Sequence, residues 1–466
     1  MKKHICVLIT TLISFSALPV LAYKQVSCAM HFHSTFSNSG RLSLEEIVIK
    51  ARNLGISVVI PTDHDLEKVE YGVWPLRKII KKTVQRNSVF LIGTDKYLDE
   101  INRLQQKYPD TVIIPGVESS PYYYWTGNPL KKNMVLHRMH KHLTVIGLNK
   151  VKQYRELPIS GNPGAGKFDP ILLWPCVPLL AGLLIKRKFF RISLITLSCL
   201  FFVYNFPFTT YPFSNYINEN ESPYQYLIDY VNSQGALTFW SHPEARNWKE
   251  PYNAGNVSLE SPPYPEAILN TRNYTGFAYF WEGANTIGAP GGYWDKTLIQ
   301  YCNGEREKPV WANSELDYIT DGMQNNYLNL NKNILLVKEL SQAQALEALK
   351  NGRFYMVSKN KPGYFEPVME NFTVKSGASR STFGEKLVYK GKVKIFFTIS
   401  TSDKKNHNMK IEFIENGRAI KNLSVKSPSN VAFEFNPSAK CSYCRIELET
   451  DNSTKLVTNP VFLYNE

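Results

Sequence analysis

The stretch Val26-Ser27-Cys28-Ala29-Met30-His31-Phe32-His33, with Ser57-Val58-Val59-Ile60-Pro61-Thr62-Asp63-His64-Asp65 about thirty residues further on, decides how this chain is read. Each is a short apolar run that ends in histidine. Residues at i and i+2 of a strand share one face, so His31 and His33 are placed to grip one ion from one side. His64 arrives at the end of the next strand. Neutral imidazoles and carboxylates are the donors that Zn, Mn and Fe take from proteins.

Working outward, strand and helix signals alternate. Ser43-Leu44-Glu45-Glu46 is a capping box, and Leu44, Ile47, Val48, Ala51 and Leu54 form one apolar helical stripe that Gly55 stops. A polar helix around Tyr97–Lys107 precedes the strand Thr111–Ile114, which delivers Pro115-Gly116-Val117-Glu118. His142–Gly147 begins a strand with a histidine. Tyr224–Ser233 reads as a helix, and Ala236–Trp240 as a strand ending in Ser241-His242-Pro243. Gly276–Trp281 and Pro309–Ala312 are further strands, the last running into Asn313-Ser314-Glu315-Leu316-Asp317. Repeated strand–helix units predict parallel strands in an α/β barrel or a doubly wound sheet. His33, His64, Glu118 and His242 then fall at the C-terminal strand ends, where barrels gather their chemistry.

The remaining sequence bounds the setting. The chain has 466 residues and a formal charge of +14, with its basic residues scattered. No Arg/Lys stripe is interleaved with stacking aromatics, so nucleic acid is not an expected partner. Residues 1–22, with Lys2, Lys3 and an apolar Ile5–Leu21, read as a secretory signal or an uncleaved anchor. Within residues 170–208, two uncharged runs flank Lys186-Arg187-Lys188-Phe189-Phe190-Arg191. That pattern predicts a transmembrane hairpin with its basic turn in the cytoplasm and both ends outside, in a bacterial periplasm, the alternatives being a buried core helix pair or an interfacial re-entrant segment. Cys441-Ser442-Tyr443-Cys444 lacks a second CxxC, so a four-cysteine zinc site is not expected. From residue 365 to 466 short alternating strands predict a C-terminal all-β sandwich-like accessory domain. His137, His140 and His407 read as solvated. Tyr122–Trp125 reads as a pocket wall, membrane contact or core, and Phe277–Trp281 as core.

The ordered clusters resemble the PHP (polymerase and histidinol phosphatase) family of metal-dependent hydrolases. His31-Phe32-His33-Ser34-Thr35-Phe36-Ser37-Asn38-Ser39-Gly40 is similar to its first motif and Thr62-Asp63-His64 to its second. Pro115-Gly116-Val117-Glu118, His142–Leu148, Ser241-His242-Pro243 and Asn351-Gly352-Arg353-Phe354-Tyr355 are similar to later ones. The resemblance implies a distorted (β/α)7 barrel over residues 23–360, interrupted by the hairpin. It implies two or three divalent ions (Zn, Mn or Fe) held by His31, His33, His64, Glu118, His142 and His242, with Glu315 and Asp317 from the last motif. Glu118, His64 and Asp63 would serve the chemistry, Glu118 as a bridge between ions and Asp63 as a ligand or its support. The implied reaction is hydrolysis of a small phosphoester by a metal-activated water. The alternatives are a carbamate, ester or amide substrate, or a metal- or ligand-binding protein without turnover. Two departures motivate the last: Asn38 or Ser39 replaces an acidic residue or histidine, and Ser314-Glu315-Leu316-Asp317 stands where the family has S-D-x-H. An aspartate there offers oxygen in place of imidazole, which suits a harder ion.

Overall fold

A computed structural model describes residues 23–247, 251–252 and 257–466. The expected signal segment lies outside the described residues. In chain order the strands that carry the site are β1 (Lys24–Met30), β2 (Val58–Ile60), β3 (Lys68–Gly72), β4 (Lys81–Gln85), β5 (Val112–Ile113), β6 (Gly116–Ser119), β7 (Leu143–Ile146), β8 (Leu237–Trp240), β9 (Gly276–Phe280), β10 (Trp311–Ser314), β11 (Asn331–Val337) and β12 (Phe354–Ser358). The principal helices are α1 (Leu44–Asn53), α2 (Thr94–Lys107), α3 (Cys176–Leu184), α4 (Lys188–Asn205), α5 (Ser222–Ser233), α6 (Tyr293–Cys302) and α7 (Gln342–Lys350). Helix α1 starts at the foreseen capping box, with both reciprocal bonds between Ser43 and Glu46 present, and buries Leu44, Ile47, Val48 and Ala51. Such a cap contributes about 1 kcal/mol, so the helix itself is fixed mainly by its buried stripe.

The architecture is mixed α/β with a β-rich C-terminal region. Its hydrogen bonding is not that of one continuous barrel. One sheet contains β11-β1-β2-β5, and a second runs β10-β9-β8-β7-β6. Among the described residues no ladder joins them; isolated bridges do, His64 with Glu118 at one margin and Phe32 with Tyr318 at the other. Proline explains the first break. Pro61 follows β2 and Pro115 separates β5 from β6, and neither has an N–H to extend the ladder. The strands are also not all parallel, because β7 runs antiparallel to both β6 and β8. This reversal sets the residue before β7, His142, at the rim where β6 and β8 end.

Beyond β12 the chain forms β13 (Pro367–Ser376), β14 (Ser379–Ser381), β15 (Lys386–Tyr389), β16 (Val393–Thr401), β17 (Asn408–Glu415), β18 (Arg418–Lys426), β19 (Ser429–Phe435), β20 (Cys441–Thr450), β21 (Lys455–Thr458) and β22 (Val461–Asn465). Four of them make a sheet ordered β14-β13-β16-β19. The others continue the first sheet, since β21 pairs antiparallel with β12 from Tyr355↔Thr458 to Ser358↔Lys455. Strands β11 and β12 therefore form a shared wall. Leu335, Val337, Phe354 and Met356 face the N-terminal core, while Leu336, Tyr355 and Val357 face the C-terminal one. The period of two along each strand produces this two-sided burial.

Helices α3 and α4 do not enter either core. Val177, Leu180, Leu184, Phe189 and Val203 point outward, Leu184 being 83% exposed and Val203 77%. Gly182, Ser198 and Asn205 are the buried positions of the pair. A Cβ on Gly182 would lie 3.1 Å from Leu194 Cβ, so glycine sets how closely the helices approach. The apolar surface faces out and the small or polar surface faces in, opposite to a helix pair packed on a soluble core. By length and composition α4 is long and apolar enough to cross a membrane, whereas the apolar stretch Pro170–Leu184 is shorter.

Candidate metal centre

The rim formed by the ends of β1, β2, β6, β8 and β10 and the start of β7 gathers most of the expected side chains around one carboxylate. Glu118 Oε1 lies 3.2 Å from His31 Nε2, 2.7 Å from His142 Nδ1 and 3.1 Å from His242 Nε2. Its other oxygen lies 3.3 Å from both His33 Nε2 and His64 Nδ1. Asp317 Oδ1 joins from the last motif, 3.2 Å from His33 Nε2 and 3.8 Å from His31 Nε2. Glu118, His31, His33, His142 and His242 are buried, while His64 and Asp317 are partly open to solvent. Three overlapping groups within this cup could hold a metal ion: His31-His33-Glu118, His31-His242-Asp317 and Glu118-His142-His242.

The local backbone differs from the strand expectation. His31 has φ +65°, β1 ends at Met30, and the two histidines lie beyond the strand on either side of the Phe32–Tyr318 bridge. His242 and Asp317 also have positive φ, at +32° and +46°. Left-handed backbone at non-glycine residues is stored strain and clusters at functional sites. The turn after His33 needs Gly40, because a Cβ there would lie 1.7 Å from the Ser34 carbonyl oxygen.

The residues behind the cup assign the imidazole tautomers. His31 Nδ1 donates to Glu315 Oε2 at 2.6 Å, which leaves the Nε2 lone pair facing Glu118, a buried atom without a hydrogen-bond partner. His142 Nε2 donates to the Met139 carbonyl at 2.9 Å, leaving Nδ1 as a lone pair toward Glu118. Ser37 donates its proton to Asp63 at 2.8 Å, so its oxygen accepts from His33 Nδ1 and directs the Nε2 lone pair inward. Lone pairs aimed at carboxylate oxygens repel unless a cation lies between them. The donor set therefore fits divalent metal, and histidines oriented by outer carboxylates are the usual support of such sites.

The carboxylates of the cup also favour positive charge on some of its imidazoles. Burial opposes charge on His31, but Glu118 and Glu315 overcome it and hold its pKa well above the usual imidazole value. Burial likewise opposes His33, and hydrogen bonds to Asp317 and Glu118 raise it to about 9. His242 is raised by Glu118 and then Asp317 against the same burial. Burial dominates at His64, which is pushed well below the normal value. Burial would raise Glu118, yet His142, His31 and His64 hold it well below the carboxylate range. Asp317 is lowered too, its burial outweighed by His33 and His31.

Two expected residues lie outside the cup. Glu315 is fully buried, but its oxygens accept from His31 Nδ1, Thr144 Oγ1 at 3.3 Å and Asn313 Nδ2 at 3.1 Å. Asp63 is occupied by Ser34 N and Ser34 Oγ, each at 2.7 Å, and by Ser37. His140, read as solvated, sits instead with its ring 5.8 Å from that of His142, and burial lowers its pKa to about 3. Sequence reasoning also passed over Glu67 and Tyr264. Glu67 Oε1 lies 3.8 Å from His64 Nε2, and burial raises its carboxyl to about 7. Its spacing of three after His64 was the available signal. Tyr264 accepts from His142 N at 3.2 Å and donates to the Ser241 carbonyl, a role that no local pattern announces.

No family model matches this chain, and no curated protein matches it. Among solved structures, it is similar to a two-domain protein from Bacteroides vulgatus containing a predicted PHP-like metal-dependent phosphoesterase. Identity is 13% over 91% of this chain and 90% of that one, with a TM-score of 0.36. A second, from Bifidobacterium adolescentis, is named by assignment as a metal-dependent phosphoesterase. It is 12% identical over 68% of this chain and 94% of that one, at a TM-score of 0.32. At these scores the reading of the site stands on its own geometry.

Proposed function

We propose that this chain is a metal-dependent hydrolase of the PHP type acting on phosphoesters. The observation that carries the reading is Glu118 at the centre of five imidazole nitrogens, three of them with lone pairs turned toward it by outer hydrogen bonds. His31, His142 and His242 would hold metal on the Oε1 side of Glu118, and His33 and His64 on the Oε2 side, with Asp317 between His31 and His33. When bound, divalent ions there would polarise a phosphoryl oxygen and lower the pKa of a water toward neutrality. Glu118 would bridge the two sides. Glu315 fixes the His31 tautomer, and Asp63 does the same for His33 through Ser37. Glu67, with its raised pKa beside His64, is placed to exchange a proton at the open edge.

Asp317 favours retention of the last metal position, because the altered motif still sends an oxygen donor into the cup. Elemental analysis of purified protein tests the proposal together with a comparison of aryl phosphate and aryl ester hydrolysis. Two or more ions per chain with phosphate cleavage supports it. A folded sample without metal would sink it, and ester cleavage alone would shift the substrate class.

The same reading places the protein on a membrane through residues 170–208, with residues 1–22 directing export and the cup on the extracytoplasmic side. The outward apolar surface of α3 and α4, and the basic turn Lys186-Arg187-Lys188 between them, support it. Protease added to intact spheroplasts would cleave the soluble region if this orientation holds; complete protection would contradict it.

A further inference from the structure

We propose that the tip of the β3–β4 hairpin, residues 73–80, is a second membrane-contact surface, seated in the headgroup region of a leaflet containing anionic phospholipid. The proposal rests on the reading of residues 170–208 as membrane-embedded. Hairpin tips in water are ordinarily built from Gly, Asn, Asp and Ser. This one presents Val73, Trp74, Leu76, Ile79 and Ile80 to solvent, with Trp74 76% exposed and Ile79 63%. The tip is a shaped surface, since Val73 N donates to Ile80 O at 2.9 Å and Ile80 N to Leu76 O at 2.8 Å.

Its position identifies the partner. Tyr204, in the last turn of α4, donates to the Pro75 carbonyl at 3.1 Å, and Lys78 Nζ lies 5.6 Å from the Tyr204 ring. Arg77 stacks 3.6 Å from the Tyr216 ring, whose hydroxyl accepts from Gly72 N at 2.9 Å. These contacts dock the tip against the base of the helical hairpin. At that base Asn205 Nδ2 donates to Leu172 O at 2.7 Å, and Lys167–Phe168 pairs with Thr209–Thr210. The basic turn 186–188 is at the opposite end. Phe168, Ile171, Trp174 and Phe206 are also exposed at the base, the end of the helical hairpin to which Tyr204 ties the tip, and with it they make up an apolar collar.

Aromatic side chains at the level where helices leave the bilayer form interfacial belts, and lysines behind them lay their stems on apolar surface with the amine in the headgroups. Lys78 and Lys82 are exposed beside the tip and supply that charge, while Lys81 is paired with Glu70 at 2.9 Å. Continuity with the helices and the flanking lysines favour an anionic leaflet over a second copy of the chain, against which both lysines would face their own kind.

The test uses the full chain in vesicles of equal parts phosphatidylcholine and phosphatidylglycerol, with lipids brominated near the headgroup quenching tryptophan. Trp74→Phe should remove a discrete share of the shallow quenching shown by the eight tryptophans of the wild type. The paired change Ile79→Ser and Ile80→Ser should weaken quenching with Trp74 retained. Lys78→Glu with Lys82→Glu should weaken it more with phosphatidylglycerol than with phosphatidylcholine alone. Unchanged quenching in Trp74→Phe, in protein that resists carbonate extraction, would overturn the tip contact and leave the helical hairpin standing. Release of wild type by carbonate would overturn the hairpin reading itself. A concentration-dependent dimer in detergent that Trp74→Ser abolishes would assign the surface to a second copy and likewise overturn the proposal.

Discussion

The Arg445 cluster and the histidine cup both bury charge, and they do so on opposite terms. Between α6 and β20, Arg445 is fully buried with its guanidinium 3.2 and 3.1 Å from the two oxygens of Asp295 and 4.6 Å from the Trp294 ring. Asp295 also accepts from Tyr443 OH at 2.7 Å and Gly291 N at 2.8 Å, and Arg445 donates further to Gly288 O and Glu447. Both oxygens and every guanidinium nitrogen are answered within the chain. At the cup, Glu118 instead is crowded by five imidazole nitrogens, and His31 Nε2 lacks a hydrogen-bond partner. A closed cluster holds two parts of a fold together. One left open to its own repulsion is built for something the chain does not supply.

That contrast can be broken at several strengths. The largest effect is expected from Glu118→Ala, which should abolish hydrolysis and lower bound metal in elemental analysis. Added Zn or Mn should raise the unfolding midpoint of wild type and leave that variant unmoved, since only a folded site converts binding into stability. Arg445→Ala should cost about 3–5 kcal/mol in denaturant unfolding, because it strands Asp295 in the interior. Added metal should stabilise this variant as much as wild type and leave the gap between them unchanged; a gap that narrowed would mean the two regions are not independent.

A smaller effect is expected from Glu315→Gln, which keeps an acceptor for His31 Nδ1 but removes the charge behind it. Metal affinity measured by competition with a chelator should fall about 10–100-fold, the usual range for outer support of a ligand histidine. Unchanged affinity would mean that Glu315 does not tune the site. The smallest concerns a closed cluster at the shared wall. Glu366 lies 2.7 Å from Lys332 and 2.7 Å from Lys359. Its burial raises the carboxyl pKa, but the two lysines outweigh that and leave it lowered. A lowered carboxyl stabilises fully above its unfolded pKa, about 4.3, and this contribution is lost as pH falls through the folded value. Urea midpoints of Glu366→Gln should therefore fall less steeply than wild type below about pH 4.

Most cup residues were legible because they follow apolar runs, and strand ends converge wherever neighbouring strands pair side by side. Histidine 142 reached the rim for another reason: β7 is antiparallel, so its beginning lies where β6 and β8 end. No period in the sequence distinguishes those two directions. The family resemblance gave Glu315 as a ligand and Asp63 as a ligand or its support, and in the structure their oxygens are taken by His31, 284 residues away, and by Ser34, 29 residues away. Side-chain allegiance of that kind is set by packing and leaves no trace in spacing. The wall of β11 and β12 was equally silent. An apolar strand of period two reads alike whether its second face meets water or another core, and Leu336, Tyr355 and Val357 reveal the second core only once β13 to β22 are in place.

The pairing of β1 has a consequence in time. Its register joins Lys24 to Val337 and Cys28 to Asn333. At ribosomal speeds of about 5–20 residues per second, roughly 15–60 s separate the synthesis of those partners. For that interval one edge of the earliest strand must wait unmatched, while α3 and α4, complete by residue 205, have already emerged. Non-local pairing of this kind is slow and leaves the waiting edge open to other chains. The order of birth thus favours an itinerary in which the helical hairpin finds its surroundings first, and the histidine cup closes only after Asp317 has been made.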